Sequence, residues 1–366
     1  MRQASHSASR LDVGDIDSGS PKEPLPLVSI VIPCRNEASY IGPCLESILA
    51  SEYAPDRLEV LIADGRSDDG TREVIREFTA KHPSVRMVDN DRQVTPTAMN
   101  AAIAVARGDV IMLLSAHSTI PPLYVRTLVD SLITSGADAV GGVVMTRPGN
   151  NTVIARAIAA AMAHPFGVGN SYYRIGIGEP RWVDTVPFGC YRRQVFDRIG
   201  LFDEDLVRNQ DDEFNMRLLM HGGRLLLVPH VVSEYFARDS LAKLWRMFYQ
   251  YGYFKPLVVQ KVGAVLTARQ VVPAALVAGM ALSALVPLAA PRYALGAVAV
   301  PALYAVGCAA AGMALARRHG LFVGASTVLV FFVLHFSYGA GYLKGLLDFF
   351  AGGRRMRDGR TVPLSR

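Results

Sequence analysis

Three long apolar runs near the C-terminal end constrain this chain more than any other feature. Residues 271–290 carry no charge, and at about 1.5 Å per helical residue such a run is long enough to cross a hydrocarbon core of about 30 Å. Residues 293–316 form a second run. A third begins at 321–334 and continues through His335 toward Tyr342, with no full charge before Lys344. Arg317, Arg318 and His319 separate the last two. The reading is a membrane region over 271–347 with two or three hydrophobic helices, followed by a basic tail at 348–366.

The mean hydropathy of +0.23 comes largely from this region; the first two thirds are those of a water-soluble domain. The net charge is +6, but no lysine-rich run or aromatic-basic interleaving accompanies it, which excludes nucleic acid as the expected partner and leaves an anionic membrane face or a phosphorylated substrate. Cys34, Cys44, Cys190 and Cys308 form no CxxC pair and have no histidine at zinc spacing, so they read as reduced, buried thiols of a cytosol-facing protein. Residues 1–26 are polar and lack an apolar signal core, so they read as a disordered leader.

From residue 28 the pattern changes period repeatedly. Short β-branched runs at 28–33, 58–63, 85–88, 109–114 and 138–145 read as strands, and amphipathic stretches at 38–50, 69–81, 95–107 and 121–134 as helices, the last with proline at its first position. Strict alternation predicts an α/β domain over 27–240 with a mostly parallel, doubly wound sheet. Residues 163–189 read as loops over a site, 210–221 as a helix and 224–228 as a strand. Residues 241–262 carry aromatic and basic side chains, including Trp245, Arg246, Tyr249 and Lys255, and read as an amphipathic helix at a bilayer interface.

In doubly wound sheets ligands bind at the carboxyl ends of the strands, which directs attention to the polar residues there. After the first strand stands PCRNE at 33–37, and after the second DGRSDDGT at 64–71. An aspartate in the place of Asp64 can accept from the N3–H of uracil, and Ser67 to Thr71 also caps the following helix. No GxGxxG follows the first strand, which disfavours a dinucleotide oxidoreductase. SAH follows the fourth strand at 115–117, WVD stands at 182–184, and NQDDEFNMR at 209–217 opens a helix with acidic residues.

Taken together, these motifs resemble the inverting family 2 glycosyltransferases of the GT-A fold, in particular their membrane-anchored branch of the succinoglycan type. That resemblance implies a Rossmann-like catalytic domain that moves a sugar from a nucleotide donor to a lipid-linked sugar acceptor during exopolysaccharide assembly, with other polysaccharide-assembly proteins as further partners. Pro33, Arg35, Asn36, Glu37, Asp64, Ser67, Asp69 and Ser115 are the expected donor-binding residues. His117 is the expected ligand of a divalent metal, Mn2+ or Mg2+. The family's first metal-motif aspartate is Ser115 here, a poor ligand, and a histidine ligand favours Mn2+. An inverting transfer needs a carboxylate to take the acceptor hydroxyl proton. Counting six residues back from Arg217, as in the family, gives Asp211 as that base rather than its neighbour Asp212. Asp184, Gly189, Gln210, Asp212 and Arg217 are expected toward the acceptor, while Arg192 and Arg193 are either diphosphate contacts or solvated.

The resemblance places the catalytic domain in the cytosol at the inner membrane. Positive-inside counting puts Arg317, Arg318 and the arginines of the tail there too, which three full spans do not satisfy: either the third apolar segment, with Gly339, Gly341 and Gly345, is bent or half-inserted, or the tail is exported against the rule. Two other readings fit the same residues: a synthase whose acceptor is a polyprenyl phosphate, already ionised and needing no base, and a non-catalytic membrane scaffold derived from the fold, suggested by Ser115 and Gln210.

Overall fold

The structure, a computed structural model, describes residues 25–264 and 267–351. Most of the expected leader (1–24) and of the expected basic tail (352–366) lie outside the described residues. The strands are β1 (Val28–Cys34), β2 (Leu58–Asp64), β3 (Val85–Asp89), β4 (Val110–Leu113), β5 (Ala139–Arg147), β6 (Arg181–Val183), β7 (Cys190–Arg192) and β8 (Leu225–Phe236). Helices α1 (Ile41–Leu49), α2 (Thr71–Lys81), α3 (Thr95–Val105) and α4 (Tyr124–Ser135) alternate with the first five strands. Then come α5 (Val153–Met162), the single turns α6 (Pro165–Val168) and α7 (Tyr172–Ile175), α8 (Arg193–Ile199) and α9 (Gln210–Met220). The last group is α10 (Leu241–Val262), α11 (Val272–Ala289), the single turn α12 (Ala294–Ala297), α13 (Ala299–His319) and α14 (Leu321–Leu346).

The sheet order is β3-β2-β1-β4-β7-β5-β8-β6. Strands β1 to β4 are parallel, β5 is parallel to β8, and β7 and β6 run antiparallel to their neighbours. Alternate residues of each strand face opposite layers. Val28, Ile30 and Ile32 pack with the inward faces of α1 and α4, whereas Val31, Leu61 and Ile111 pack with α3, α8 and α9. Both faces are covered, so the central strands are apolar throughout. In register, Cys34 lies beside Asp64 and Asp64 beside Asp89. The strand ends, and the polar turns that follow them, therefore share one edge. Order reverses at β1, between β2 and β4, which makes this edge the switch point where doubly wound sheets bind ligands.

Several expectations change. The prolines at 121 and 122 form a turn before α4, which begins at Tyr124 and not at residue 121. The region 163–189 is not all loop; it contains α6, α7 and β6. The strand expected at 224–228 continues to Phe236, because the three residues around Pro229 bulge out of the ladder between the pairs Gly142–Val228 and Val143–Val232 and spare proline a backbone donor.

The third apolar segment forms one continuous 26-residue helix. Among the described residues, three helices are long and apolar enough to cross a membrane: Val272–Ala289, Leu295–His319 and Leu321–Phe350. The glycines of α14 serve packing. A Cβ on Gly341 or Gly345 would meet the carbonyl of Tyr249 or Tyr253 on α10, one on Gly252 of α10 would meet that of Tyr338, and one on Gly339 would meet that of Pro273 on α11. The four-residue spacing of Gly341 and Gly345 on α14, with the single Gly252 on α10, lets the two backbones approach closely, as small-xxx-small spacing does in packed membrane helices. α10 is capped by the Ser240 hydroxyl and buries Leu244, Met247 and residues 252–258, so much of its apolar face meets protein, while Trp245 remains 40% exposed.

Replacing Gly341 by valine should force α10 and α14 apart and cost about 1–3 kcal/mol, as overpacking generally does. Thermal melting of the full chain in detergent should fall by several degrees. Gly296→Val, where a Cβ meets nothing within 4 Å, should melt as the parent does; equal melting of both variants would refute the packing account.

Candidate active site

The turns after β1 and β2 are built as one unit. Asn36 sits at φ 53°, a left-handed conformation that asparagine tolerates. Its amide donates to Ser67 Oγ (2.8 Å), and its Oδ1 accepts from the Asp68 amide (3.1 Å). The Glu37 amide donates to Thr71 Oγ1 (2.8 Å) and the Ala38 amide to Asp69 Oδ2 (3.2 Å). Asp69 stays ionised below the usual carboxylate range; partial desolvation opposes this, and hydrogen bonds from Thr71 and Ala38 outweigh it. Asp64 is fully buried. It accepts from Ser67 Oγ (2.5 Å), the Ser67 amide (3.1 Å) and Arg72 (2.6 Å), and Arg72 also reaches Asp89 at 2.9 Å. Asp64, Ser67 and Asp69 thus hold the 35–38 turn from behind. Pro33, Arg35, Asn36, Glu37 and Gly65 line the cavity in front.

Ser115 and His117, after β4, stand across from this turn. Ser115 Oγ lies 3.1 and 3.2 Å from the two ring nitrogens of His117, and His117 Nδ1 lies 3.4 Å from Glu37 Oε1. Tyr40 and Tyr235 flank the imidazole, with centroids 6.5 and 6.3 Å away. A carboxylate, an imidazole and a hydroxyl are thus gathered at one point. Among the described residues no three His, Cys, Asp or Glu side chains cluster at metal-binding distance. The donor set suits a divalent cation that takes its remaining ligands from elsewhere, such as diphosphate oxygens.

The start of α9 forms the opposite wall. Asn209 is left-handed (φ 61°), and its amide group donates to the Tyr251 carbonyl (2.9 Å), fixing α9 against α10. Gln210, Asp211 and Asp212 all line the cavity. Asp212 pairs with the buried Lys255 of α10, a residue 43 positions away whose link to the acidic run leaves no trace in the sequence. Asp211 enters no ion pair among the described residues. Its side chain is exposed to the cavity. Desolvation, with the neighbouring Asp212 charge second, raises its pKa above the usual carboxylate range.

Other expected residues lie behind the cavity. Arg217 bonds Glu213 and the carbonyl oxygens of Ile199 and Leu201, tying α9 to the α8 loop. Gly189 packs against the Tyr191 ring, where a Cβ would collide with it. Asp184 pairs with Arg269, which itself lines the cavity. Arg192 and Arg193 neither face the cavity nor stand in solvent. They donate to main-chain carbonyls, Arg192 to Ala137 and Leu132 and Arg193 to Gly108 and Ala106, because β7 is inserted between β4 and β5 and turns them to the opposite end of the sheet.

All these walls belong to one cavity of about 1420 Å³. It runs from the strand ends to the membrane-region helices, reaching Val272, Leu276, Tyr304, Leu334 and Tyr338. Of the five non-glycine residues with positive φ among those described, Asn36, Gln93, Phe188 and Asn209 line it. Strained backbone concentrates where a site needs side chains fixed in unusual directions. Sequence reasoning missed Gln93, Phe188, Arg174 and Tyr235. For Arg174 the only signal was its place among the tyrosines and glycines of 163–189.

Comparison with known proteins agrees with this architecture. Residues 29–200 match the model of glycosyl transferase family 2. The chain is 33% identical over 325 residues to the succinoglycan biosynthesis protein ExoA of Rhizobium meliloti, covering 87% of this chain and 95% of that protein. It is 30% identical over 243 residues (64% of this chain, 74% of that protein) to a dolichyl N-acetyl-alpha-D-glucosaminyl phosphate 3-beta-D-2,3-diacetamido-2,3-dideoxy-beta-D-glucuronosyltransferase of Methanococcus voltae. In fold it is similar to the mannosyltransferase PcManGT of Pyrobaculum calidifontis, solved with GDP-Man and Mn2+, with a TM-score of 0.58, 22% identity and coverage of 89% of this chain and 91% of that one. A switch-point cleft in a mostly parallel sheet and a relative similar along nearly its whole length lead to one conclusion: this chain is a glycosyltransferase and belongs to glycosyltransferase family 2.

Proposed function

We propose that the protein transfers a sugar, glucose in the first instance, from a UDP-sugar to a polyprenyl-diphosphate-linked sugar by a single inverting displacement, from a catalytic domain on the cytosolic side of the inner membrane. One observation carries this reading: a single cavity joins the strand-end turns, Asp211 and the apolar helices, so a nucleotide-sugar and a membrane-borne acceptor can meet at one carboxylate. The succinoglycan and dolichyl phosphate names of the relatives point to the same substrate classes.

The nucleotide lies along the 33–37 turn with its base toward Gly65 and Gln93, and Asp64, Ser67 and Asp69 keep that turn in shape. His117, with Glu37 and Ser115, would hold a divalent cation together with the diphosphate. The chemistry such a cation supplies is neutralisation of charge on the departing nucleotide. Asp211 accepts the proton of the acceptor hydroxyl as that oxygen attacks the anomeric carbon. Two features suit it to this role. Lys255 neutralises Asp212, so one carboxylate of the pair is committed and the other is open. The pKa of Asp211, raised by desolvation and by the Asp212 charge, also makes it a stronger base than an ordinary aspartate. Asp184, Gln210 and Asp212 border the acceptor side, directly or through Arg269; Gly189 and Arg217 shape that wall from behind.

Asp211→Asn should lower transfer from a radiolabelled donor by about 10²–10⁴-fold, the usual contribution of a general base, with UDP binding retained. Retention of much of the rate would mean an acceptor that is already ionised, a polyprenyl phosphate. UDP binding in the parent protein without turnover on any lipid extract would mean a scaffold.

The pH profile gives a second check. The base acts only when deprotonated, so activity falls as pH drops through its pKa. The acidic limb should lie above the ordinary aspartate value of about 3.9. Asp212→Asn removes the neighbouring negative charge and should move that limb to lower pH; an unmoved limb would detach Asp211 from the titration. EDTA should abolish transfer and Mn2+ should restore it; full activity in EDTA would remove the cation from the proposal.

A further inference from the structure

The cavity holds seven basic side chains, and most are already matched. Lys255 pairs with Asp212, Arg269 with Asp184 and Lys243 with Asp239, while Arg208 bonds Gln250. Arg35, Arg238 and Arg174 enter no ion pair among the described residues, and each keeps a buried nitrogen without a hydrogen-bond partner. Of the three, Arg174 is the one set against aromatic rings, and its unpartnered atom is the terminal Nη1. The guanidinium is held in place all the same: its centre lies 5.1 Å from the Tyr173 ring centroid and 5.3 Å from that of Tyr235, and Nε reaches Tyr173 Oη at 3.3 Å. Aromatic rings fix a cation without using up its in-plane donors. A charged donor left unpaired in a buried place is costly until an anion meets it. A guanidinium fork matches phosphate oxygens in particular.

Position narrows the ligand. Arg174 stands on α7, and just before it Phe166 of α6 packs on Tyr304 and Phe331 of α13 and α14 (6.1 and 5.0 Å between centroids). On this side the cavity wall turns apolar, through Leu276, Tyr304 and Leu334. A fixed cation in a cavity whose lining includes apolar side chains of the membrane-region helices matches a prenyl diphosphate, with an anionic head and a hydrocarbon tail. We propose that Arg174 binds the diphosphate of the lipid-linked acceptor while the first isoprenyl units lie along the wall past Leu276 and Tyr304. This rests on the lipid-diphosphate acceptor reading above. The nucleotide donor also carries a diphosphate, so the test separates the two sources.

The full chain in detergent is titrated with farnesyl diphosphate, farnesol and UDP, as parent, Arg174→Gln and Arg174→Lys. The expected result is at least a tenfold weaker farnesyl diphosphate affinity in Arg174→Gln, partial recovery in Arg174→Lys, and unchanged farnesol and UDP affinities, the UDP arm also showing that the variants are folded. Loss of UDP affinity alone would assign Arg174 to the donor and overturn the proposal, as would unchanged affinities or an equal loss of all ligands. A parent protein that binds UDP but not farnesyl diphosphate would instead sink the lipid-diphosphate reading itself, and this inference with it.

Discussion

Close backbone contact between α10 and α14 is the constraint on which the rest depends. Glycines on both helices let carbonyl groups of one helix approach the Cα atoms of the other, so the catalytic domain is packed directly on the membrane-region helices and not joined to them by a tether. α10 also carries Lys255, which pairs with Asp212, and its Tyr251 carbonyl holds Asn209 at the start of α9. The helix that meets the membrane region therefore also positions the acidic wall of the active site. The cavity is continuous because these two packings share one element.

The two walls of the cleft obtain their order differently. At the strand ends, short polar side chains of 64–71 bond the backbone of 35–38, so one motif shapes the other. Asp64, fully buried and bonded by Ser67 and Arg72, acts from behind that turn. At the start of α9, order comes from charge. Two adjacent carboxylates at a helix start repel each other, and Lys255 pairs with one. The other stays open to the cavity with its proton affinity raised.

Much of this could be read from residue order. The apolar runs gave the membrane-region helices, and the change of period gave the parallel half of the sheet and its functional edge. The local strings gave the turn at 33–37, the strand-end pair Ser115 and His117, and Asp211. Sequence reading failed where the signal was short or distant. Three-residue strands such as β7 have no period to detect, and β7 decides where Arg192 and Arg193 point. Pro229 masked the second half of β8, because a proline normally ends a ladder and only the bulge opposite Gly142 and Val143 lets the strand continue to Phe236. The glycines of α14 also admit a neighbouring backbone, which one helix alone does not reveal.

The sequence by itself determined the local elements, the polar turns at the strand ends and the apolar length of the last three helices, because these follow from periodicity, capping and hydropathy within short windows. Only the tertiary structure decided which carboxylate of the pair stays open, which arginines serve the fold and which face the cavity, and that this cavity runs into the membrane region. Those outcomes depend on partners tens of residues away, Lys255 for Asp212, Ala137 for Arg192 and Arg269 for Asp184, and burial and charge act through space and not along the chain.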